Sequence, residues 1–479
     1  MNRRDFLKLT AASSVNLPLW GCYEKSPQSP SPSKTSPPNN ISPSKPAPPN
    51  IISLPKTSPP NIIFIIADDL GWADVGYHGS EIKTPNLDNL ARQGLQLEHH
   101  YVMPTCTPTR VGLLTGHYPS RYGVLAPAYG KIFNDDTITL AQALRHCGYS
   151  THIAGKWHMG SPPEYTPMKY GFDTSYGYFH GQVDPYTHLY KTGVPTWHRS
   201  DKELRETGHV TDLITKEALR VVENKHDKPF FLYVAYSAPH YPLNEPKKWT
   251  TMYPQIKNTS RKWYAAAVSH LDDGIGKIVT AVDRRHLRNN TLIIFVSDNG
   301  GQKNWQSKSL YNGRYAGKPH TVLGDNKPLR GWKGDLYEGA IRVPALVNQP
   351  GVIKPGKMTI PIHIVDWMPT LCALAACSPE RNLDWDGINI WPLLCNEQNE
   401  IQINSTAAPF KSRVLYWKTQ KAAAIRQGDW KLIVDKKTDK AQLYNLAADP
   451  YEKNNLAAEQ PVKVNELRKV LQEIAQKDR

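Results

Sequence analysis

Polar side chains capable of acid–base or metal chemistry follow four short apolar runs in the sequence. Each run is followed within a few residues by one or two of them: Asp68 and Asp69, Lys156 and His158, His240, and Asp298 and Asn299. In open α/β sheets, ligands bind outside the carboxyl ends of the strands. One such ending is ordinary loop sequence, but four of them predict that these groups meet at one edge of a sheet.

Four of these residues offer only oxygen ligands, namely Asp68, Asp69, Asp298 and Asn299. Hard cations such as Ca²⁺ and Mg²⁺ take oxygen ligands, whereas zinc would call for histidine or cysteine. An Asp-Asp pair after a strand is also a common helix cap or turn. Two such pairs at neighbouring strand ends favour a hard-metal site.

A cysteine stands at the predicted beginning of a helix, in the segment PTCTPTRVGLLTG that starts at Pro104. Pro108 suits the first turn of a helix, which places Cys106 at the amino end. The free N–H groups and the helix dipole there attract an anion and would stabilise a thiolate. Cys106 is therefore predicted to be a nucleophile, with a buried structural cysteine as the alternative.

The elements that position these groups follow from the apolar pattern. Buried strands are predicted at 61–66, 149–154, 230–236 and 291–296, and helices from Thr84 to Gly94, at 139–147 and at 264–282. Strands that alternate with helices predict an α/β fold with right-handed crossovers and an open, mostly parallel sheet.

The pattern changes after about Asp366. Short strands are predicted at 423–425, 430–434 and 442–445, with a closing helix at 462–476. We expect residues 60–366 to form the main domain and residues 367–479 a smaller α/β subdomain with an antiparallel sheet. The polar segment Trp305–Gly324 predicts a long loop near the site, which either selects the substrate or is plain surface.

Several motifs in a fixed order resemble the type I sulfatases. CTPTRVGLLTG resembles their first signature, C-x-P-x-R followed by LLTG, and GKWHMG at 155–160 resembles the second. The resemblance continues through PNIIFIIADDLGWADVG, GFDTSYGYFHGQ, SDNGGQ and LRGWKGDLYEGAIRVP to LYNLAADPYEKNNLA, and spans about residues 60–457. Among subgroups it is most similar to the arylsulfatase B, or N-acetylgalactosamine-4-sulfatase-like, branch. It implies an alkaline-phosphatase-like α/β fold, a doubly wound mixed sheet flanked by helices with a smaller C-terminal subdomain.

The resemblance also implies a cofactor set. In that family a maturation enzyme oxidises the signature cysteine to Cα-formylglycine, whose hydrate is the nucleophile, and Cys106 matches that position. A single Ca²⁺ ion, for which Mg²⁺ is the alternative, is implied at Cys106 and at four oxygen ligands: Asp68, Asp69, Asp298 and Asn299. Asp298 is also a candidate acceptor for the proton of the attacking hydroxyl.

Roles for the remaining residues come from the same matched positions. Arg110 and Lys156 are expected to hold the nucleophile and to offset charge on the sulfuryl oxygens. His240 and Lys333 match the pair that contacts sulfate and protonates the leaving oxygen. His158 matches the base whose action expels sulfate and restores the aldehyde.

The implied function is hydrolysis of sulfate esters, those of a sulfated carbohydrate as natural substrates and aryl sulfates as artificial ones. One alternative is a phosphonate or phosphodiester hydrolase of the same superfamily. Another is a surface-tethered glycan-binding protein that has lost catalysis. The second is disfavoured because a pure binder has no evident need for Cys106, Arg110, Lys156, His158, Asp298 and Lys333 together.

The composition of the chain limits which classes of partner and which cellular compartment are plausible. The 479 residues carry a net charge of +15, which suits an anionic partner, but no nucleic-acid-binding motif is present. No apolar run reaches the ~18 residues that a membrane-spanning helix needs. Six cysteines are too few and too scattered for a disulfide scaffold. Cys372 and Cys377 either pair with each other or, as their apolar setting favours, are two buried thiols.

The amino terminus predicts an export route. Residues 1–22 open MNRRDFLKLT, which resembles a bacterial twin-arginine signal, and LWGC resembles a lipoprotein cleavage site that would leave Cys22 lipidated. Residues 23–59 form a linker rich in Pro, Ser and Lys, which favours an extended, unpacked chain. We therefore expect the bacterial periplasm or cell surface, reached through the twin-arginine machinery, with membrane contact only through an anchor at Cys22.

Overall fold

The structure is a computed structural model, and it describes residues 59–128, 130–161, 164–304, 311, 323–377, 383–395 and 413–479. Ser58–Arg479 form a compact unit. The predicted signal, the linker up to residue 58, Cys22 and most of the loop Trp305–Gly324 lie outside the described residues.

Sixteen strands occur in the described residues: β1 Asn61–Ala67, β2 Leu95–Leu97, β3 His100–Tyr101, β4 Ser150–Lys156, β5 Thr174–Tyr178, β6 Trp197–Arg199, β7 Lys202–Glu203, β8 Phe230–Ala235, β9 Thr291–Ser297, β10 Ala345–Asn348, β11 Gly356–Met358, β12 Ile362–His363, β13 Val414–Lys418, β14 Ala422–Gln427, β15 Trp430–Asp435 and β16 Ala441–Asn445. The α-helices are α1 Pro85–Arg92, α2 Cys106–Thr115, α3 Leu140–His146, α4 Val210–Glu223, α5 Lys247–Thr250, α6 Thr259–Arg284, α7 Glu338–Ile341, α8 Trp367–Leu374, α9 Trp391–Leu394 and α10 Pro461–Ala475.

Ten strands form one mixed sheet in the order β11-β2-β10-β9-β1-β8-β4-β5-β6-β7. Its four central strands, β9, β1, β8 and β4, are parallel to their neighbours within this group. Residue Ala67 of β1 pairs with Ser297 of β9, and Ala235 of β8 pairs with both Ile66 of β1 and Gly155 of β4. The carboxyl ends of the four strands therefore lie side by side, as the sequence predicted.

Helices cover both faces of this sheet. Strand β1 is buried along its whole length, and its alternate residues point into two separate cores. Ile62, Phe64 and Ile66 pack with residues of α2, α3 and α8. Ile63 and Ile65 pack with residues of α1, α4 and α6. This two-sided packing confirms the doubly wound mixed fold.

Helix α6 begins earlier than its apolar pattern predicted. The Asn258 side chain accepts a hydrogen bond from the Arg261 N–H, and this cap starts the helix at Thr259. Apolar periodicity locates the buried face of a helix, but polar caps set its ends.

A second sheet follows near the carboxyl terminus, antiparallel and in the order β13-β14-β15-β16. One of its faces packs on the main body, where Trp417 contacts Tyr101 and donates its indole N–H to the Val102 carbonyl at 2.9 Å. Helices α8 and α9 contribute to the core under the main sheet. None of the helices in the described residues combines the length and apolarity that a membrane crossing requires.

Neither of the two arrangements expected for Cys372 and Cys377 is found in full. Cys377 forms a disulfide with Cys147, which is 230 positions away, and not with Cys372. Cys372 is a buried thiol. Cys377 is therefore not one of two free thiols, because the fold brings it beside the end of α3, a proximity that local sequence does not reveal.

Candidate active site

The ends of β1 and β9 bring the predicted oxygen ligands together. The Asp69 N–H donates to Asp298 Oδ1 at 3.2 Å, and the Asn299 amide donates to Asp69 Oδ1 at 2.8 Å. Asp68 and Asp298 are fully buried, as is Asn299. Parallel pairing of β1 with β9 in this register is what makes residues 230 positions apart neighbours.

The ends of β4 and β8 supply the basic groups. Lys156, the last residue of β4, places its ammonium 2.6 Å from Asp68 Oδ2. His158 follows in a left-handed backbone conformation, and its imidazole lies so close to Gly181 that a Cβ there would meet Nε2 at 2.4 Å. His240, in the loop after β8, has its Nε2 3.6 Å from Asp69 Oδ2.

Helix α2 adds Cys106 and Arg110. The helix begins at Cys106, as predicted, and is buried along its whole length. Arg110, one turn later, forms a buried ion pair with Asp298 Oδ2 at 2.8 Å and also donates to the carbonyl of Lys156 at 3.2 Å. The first turn of α2 is thus joined to the ends of both β9 and β4.

Lys333 comes from a loop far along the chain. Its ammonium lies 2.6 Å from Asp69 Oδ1. The backbone holds this loop in place, because the Lys333 N–H donates to the Gly301 carbonyl and the Gly334 N–H donates to the Pro104 carbonyl. The structure therefore brings all ten predicted site residues to one edge of the sheet.

The oxygen cluster is incomplete in a way that fits a hard cation. Asp68 Oδ1, Asp69 Oδ2 and Asn299 Oδ1 are buried and have no hydrogen-bond partner within the described residues. One ligand atom each of Asp68, Cys106 and Asp298 lies within 4.8 Å of the others. Buried polar atoms without partners are costly unless a cation or water binds them. A set of carboxylate and amide oxygens fits Ca²⁺ or Mg²⁺.

Burial and the charges of neighbouring side chains shift the pKa values of Asp298, His158 and His240. Burial and the neighbouring Asp68 raise the pKa of Asp298 to about 7, against the opposing effect of Arg110. Burial and the positive charges of Lys156 and Arg110 hold the pKa of His158 well below its usual value. Burial and Lys333 likewise lower the pKa of His240. Both imidazoles are therefore neutral at pH 7 and available as bases or hydrogen-bond partners.

The expected thiolate at Cys106 is wrong for the unmodified residue. Burial raises the pKa of the Cys106 thiol, and Lys156 and Lys333 offset this only in part. The position at the helix amino end is as predicted, but burial raises the pKa of the thiol by more than the nearby ammonium groups lower it.

One residue that contacts the site was not predicted from the sequence. Tyr233 lies within the apolar run of β8, and its hydroxyl accepts a hydrogen bond from Arg110 at 3.3 Å. A buried tyrosine hydroxyl needs a polar partner, so a tyrosine in the middle of a fully buried strand was the available signal.

Family models cover nearly all of the described chain. The model described as Sulfatase matches residues 60–377, and the one described as N-sulphoglucosamine sulphohydrolase, C-terminal, matches residues 331–478. The predicted membership and the predicted sulfuric ester hydrolase are confirmed at this level.

Individual relatives agree with the family models. Arylsulfatase J of Mus musculus is 35% identical over 464 residues, covering 85% of this chain and 74% of that protein. The human N-acetylgalactosamine-6-sulfatase is 33% identical, covering 69% of this chain and 65% of its own length. The crystal structure of Ps i-CgsB in complex with k-i-k-neocarrahexaose is 33% identical with a TM-score of 0.76, covering 88% of this chain and 94% of that one. With the site geometry and these similarities in agreement, the chain belongs to the sulfatase family.

Proposed function

We propose that this protein hydrolyses sulfate esters of a sulfated carbohydrate, using Cα-formylglycine made from Cys106 and one bound Ca²⁺. The observation that carries the proposal is the convergence of Cys106 with Asp68 and Asp298 beside three buried oxygens that lack partners within the described residues. Asp68, Asp69, Asp298, Asn299 and residue 106 would hold the cation.

The bound groups supply two kinds of chemistry. The hydrated aldehyde provides an oxygen nucleophile, and the cation neutralises charge on the sulfate ester. Around them, Asp68, Asp69 and Asp298 are each paired with one of Lys156, Lys333 and Arg110. Because these three cations already offset the carboxylates, a bound divalent cation would give the site a positive excess suited to an anionic substrate.

The basic side chains have separable tasks. Arg110 is fixed by Asp298, the Lys156 carbonyl and Tyr233, so its guanidinium is positioned before the substrate arrives. Burial disfavours the Lys333 ammonium, but the carboxylate of Asp69 keeps the pKa of Lys333 well above its usual value. Lys333 therefore remains charged and can hold sulfuryl oxygens or supply a proton to the leaving oxygen.

The two histidines provide proton acceptors. His158 is buried and neutral, which suits it to remove a proton from a hydroxyl at residue 106. His240 lies at 8% side-chain exposure, next to a small cavity that Gln182, Ser237 and Glu245 also line. That position suits contact with the leaving group.

A carbohydrate substrate is supported by the names of the relatives. One relative is named for N-acetylgalactosamine 6-sulfate chemistry, and Ps i-CgsB was crystallised with a neocarrahexaose. The net charge of +15 suits a polyanionic sugar chain.

The test is mass spectrometry of the peptide that carries Cys106, in protein made with a formylglycine-generating enzyme, together with turnover of an aryl sulfate and a matched phosphodiester. We expect an aldehyde in place of the thiol and a higher kcat/KM for the sulfate. Preference for the diester would support the phosphodiesterase alternative. A persistent thiol, with a known sulfatase matured in the same cells, would support the binding-protein alternative.

We also propose that the protein works in the bacterial periplasm or at the cell surface after twin-arginine export. The RRDFLK sequence and the Cys147–Cys377 disulfide support this, since disulfides persist in oxidising compartments. Export of a folded chain would place formylglycine formation in the cytoplasm. Cys22→Ala should move the protein from the membrane to the soluble fraction if Cys22 is lipidated, and Arg3→Lys with Arg4→Lys should block export.

A further inference from the structure

The loop that carries His240 is held to the rest of the protein at both of its ends. It spans residues 236–246, between β8 and α5. Near its start, the Asp68 N–H donates to the Ala238 carbonyl at 3.1 Å, which joins the loop to the end of β1. Near its far end the loop carries Glu245, whose side chain is only 3% exposed. The contacts of Glu245 therefore decide how the second half of the loop is held.

Glu245 contacts two imidazoles that belong to helices α4 and α6. His270 Nδ1, in α6, lies 2.7 Å from Glu245 Oε2, and His209 Nε2, at the cap of α4, lies 3.5 Å from Oε1. Burial disfavours a charged carboxylate, but the two histidines lower the pKa of Glu245 to about 2. Glu245 is therefore an anion at neutral pH, and its charge joins the loop to both helices.

Both imidazoles are themselves held in place by other contacts. His209 Nδ1 accepts the Thr211 N–H at 3.2 Å as the cap of α4, so the proton of this ring lies on the nitrogen that faces Glu245. The other nitrogen of His270 lies 3.1 Å from Asp212 Oδ1. The two rings also contact each other, with centroids 4.7 Å apart. Together they form a firm support for the carboxylate.

The His240 ring is oriented by contacts within its own loop. Its Nδ1 donates to the Tyr241 carbonyl, and the ring stacks on that of Tyr241 with centroids 4.6 Å apart. Because a carbonyl only accepts, the proton lies on Nδ1, and Nε2 faces Asp69 Oδ2 at 3.6 Å. These orienting contacts come from the next residue in the chain, so the imidazole moves whenever this part of the loop moves.

Packing alone leaves this part of the loop room to move. A small cavity borders it, lined by His240 and Glu245 on the loop and by Gln182 and Thr211 opposite them. Side chains beside a cavity lack contacts on that side, so packing there resists a displacement only weakly. Glu245 is the one acidic side chain in the loop, and its ionic contacts lie just beyond the cavity.

We infer that Glu245 is a positioning residue for His240: through His209 and His270 it holds the loop so that His240 Nε2 stays aimed at the leaving group. The inference rests on the proposed function, in which His240 contacts the leaving oxygen. Misplacement of such a group by about 1 Å can lower the rate about 100-fold. The loss should be greatest for esters whose leaving oxygen is most basic, because these depend most on that contact.

The first experiment tests the anchor without using activity. Amide hydrogen exchange is followed by mass spectrometry in the peptide that spans residues 236–246 of the full chain. We expect exchange in Glu245→Ala to be at least about tenfold faster than in the unaltered protein. The control is Lys431→Met, which removes the buried ammonium between Glu338 and Glu452 and should leave this peptide unchanged. Equal exchange in Glu245→Ala and the unaltered protein would overturn the inference.

The second experiment links the anchor to catalysis. The kcat/KM of the matured, calcium-loaded enzyme is measured for 4-nitrophenyl sulfate and for phenyl sulfate, whose leaving oxygen is more basic. Glu245→Ala should lower kcat/KM by about 100-fold for phenyl sulfate and by less than about tenfold for 4-nitrophenyl sulfate. His240→Ala should change the ratio of the two values in the same direction. Glu245→Gln keeps an acceptor for His270 and should recover most of the loss, whereas Lys431→Met should leave the ratio unchanged.

The outcomes separate the inference from the proposed function. A changed ratio in His240→Ala with an unchanged ratio in Glu245→Ala would overturn the inference alone. An unchanged ratio in His240→Ala would overturn the proposed task of His240 and the inference with it. If the unaltered enzyme cleaves neither ester, the proposed function fails, and the exchange result alone decides whether Glu245 anchors the loop.

A second variant covers the case in which Glu245→Ala does not fold. Glu245→Asp keeps the charge but shortens the side chain by one methylene group, so its carboxylate reaches the two imidazoles only if the loop moves. It should change the exchange and the ratio in the same directions as Glu245→Ala, by smaller factors. Unchanged exchange together with an unchanged ratio in Glu245→Asp would overturn the inference.

Discussion

Two buried ionic clusters in this protein are built from the same residue types but are completed differently. The catalytic-edge cluster consists of Asp68, Asp69, Arg110, Lys156, Asp298 and Lys333. The C-terminal cluster consists of Tyr101, Glu338, Arg426, Lys431 and Glu452, where β14 and β15 meet α7. Both are almost entirely shielded from water.

In the C-terminal cluster three of the four carboxylate oxygens accept hydrogen bonds, and the fourth, Glu452 Oε1, forms an ion pair with the Lys431 ammonium although it accepts no hydrogen bond among the described residues. Glu338 lies 2.9 Å from Lys431 and accepts the Tyr101 hydroxyl at 2.6 Å. Glu452 lies 2.8 Å from Lys431 and accepts the Glu338 N–H at 2.7 Å. The catalytic-edge cluster instead leaves Asp68 Oδ1 and Asp69 Oδ2 without hydrogen-bond partners among the described residues. A buried network whose carboxylate oxygens all lie against a cation or a donor stabilises one fold, whereas a network that leaves carboxylate oxygens without such a neighbour can bind something else.

The largest effect we expect comes from Cys106→Ala. Removing the source of the nucleophile should lower kcat for an aryl sulfate by about 10⁴-fold or more. The Tm should change little, because the catalytic-edge charges keep their partners. Cys372→Ala, which alters another buried thiol, is the control and should retain full kcat. Near-native turnover by Cys106→Ala would exclude the proposed nucleophile.

The converse experiment removes the ammonium group of Lys431, which lies between the two carboxylates of the C-terminal cluster. Lys431→Met leaves Glu338 and Glu452 buried without their ammonium, and should lower the free energy of unfolding by about 3–5 kcal/mol. The kcat of the folded fraction should not change. Urea unfolding measures the first effect and aryl sulfate turnover the second. Lys437→Met, at an exposed lysine near the end of β15, should change neither. A loss of kcat without a loss of stability would contradict the distinction between the clusters.

The fold was predictable where apolar pattern decides structure. The runs NIIFII and TLIIFV predicted β1 and β9, respectively, because a strand that is buried on both faces has to be apolar throughout. The strand order and the antiparallel pairings towards the edges of the large sheet could not be predicted, because β2, β6 and β7 have only two or three residues each. The disulfide partner of Cys377 also depended on contacts that only the folded chain makes.

The site was predictable to the extent that its residues end strands or begin α2. Asp68, Lys156, His240 and Asp298 follow central strands, so topology alone brings them together. Lys333 lies in a loop with no strand to place it, and only its resemblance to the sulfatase motif assigned it to the site. The raised pKa of Cys106 was missed because sequence shows a helix end but not the loss of water around it.

We expect a calcium ion to bind the catalytic-edge cluster and not the C-terminal cluster. Calcium at about 100 times its Kd should raise the free energy of unfolding by about 2.7 kcal/mol, and a chelator should reverse this. Asp68→Asn should abolish the calcium-dependent shift, whereas Asp201→Asn, at an exposed carboxylate, should retain it. Thermal unfolding with and without calcium measures the shift. An equal shift in Asp68→Asn would place the ion elsewhere.

The smallest effect that we expect is a change in the pH dependence of stability, and it distinguishes two buried histidines whose pKa values are lowered. His158 lies at the catalytic edge, whereas His100 accepts the Trp367 indole N–H and precedes Tyr101 of the C-terminal cluster. Burial lowers the pKa of His100 to about 3. In the unfolded chain this histidine takes up a proton below about pH 6.5, so the folded state loses stability as the pH falls from that value towards 3.

The contribution of His100 can be isolated by substitution. His100→Gln keeps an acceptor for the indole but does not titrate, so it should reduce the loss of unfolding free energy between pH 7 and pH 5 by about 2 kcal/mol. Urea unfolding at the two pH values measures this loss. The kcat for an aryl sulfate should remain unchanged, whereas His158→Gln should lower kcat. An unchanged pH slope in His100→Gln would mean that protonation of other groups governs acid stability in this region.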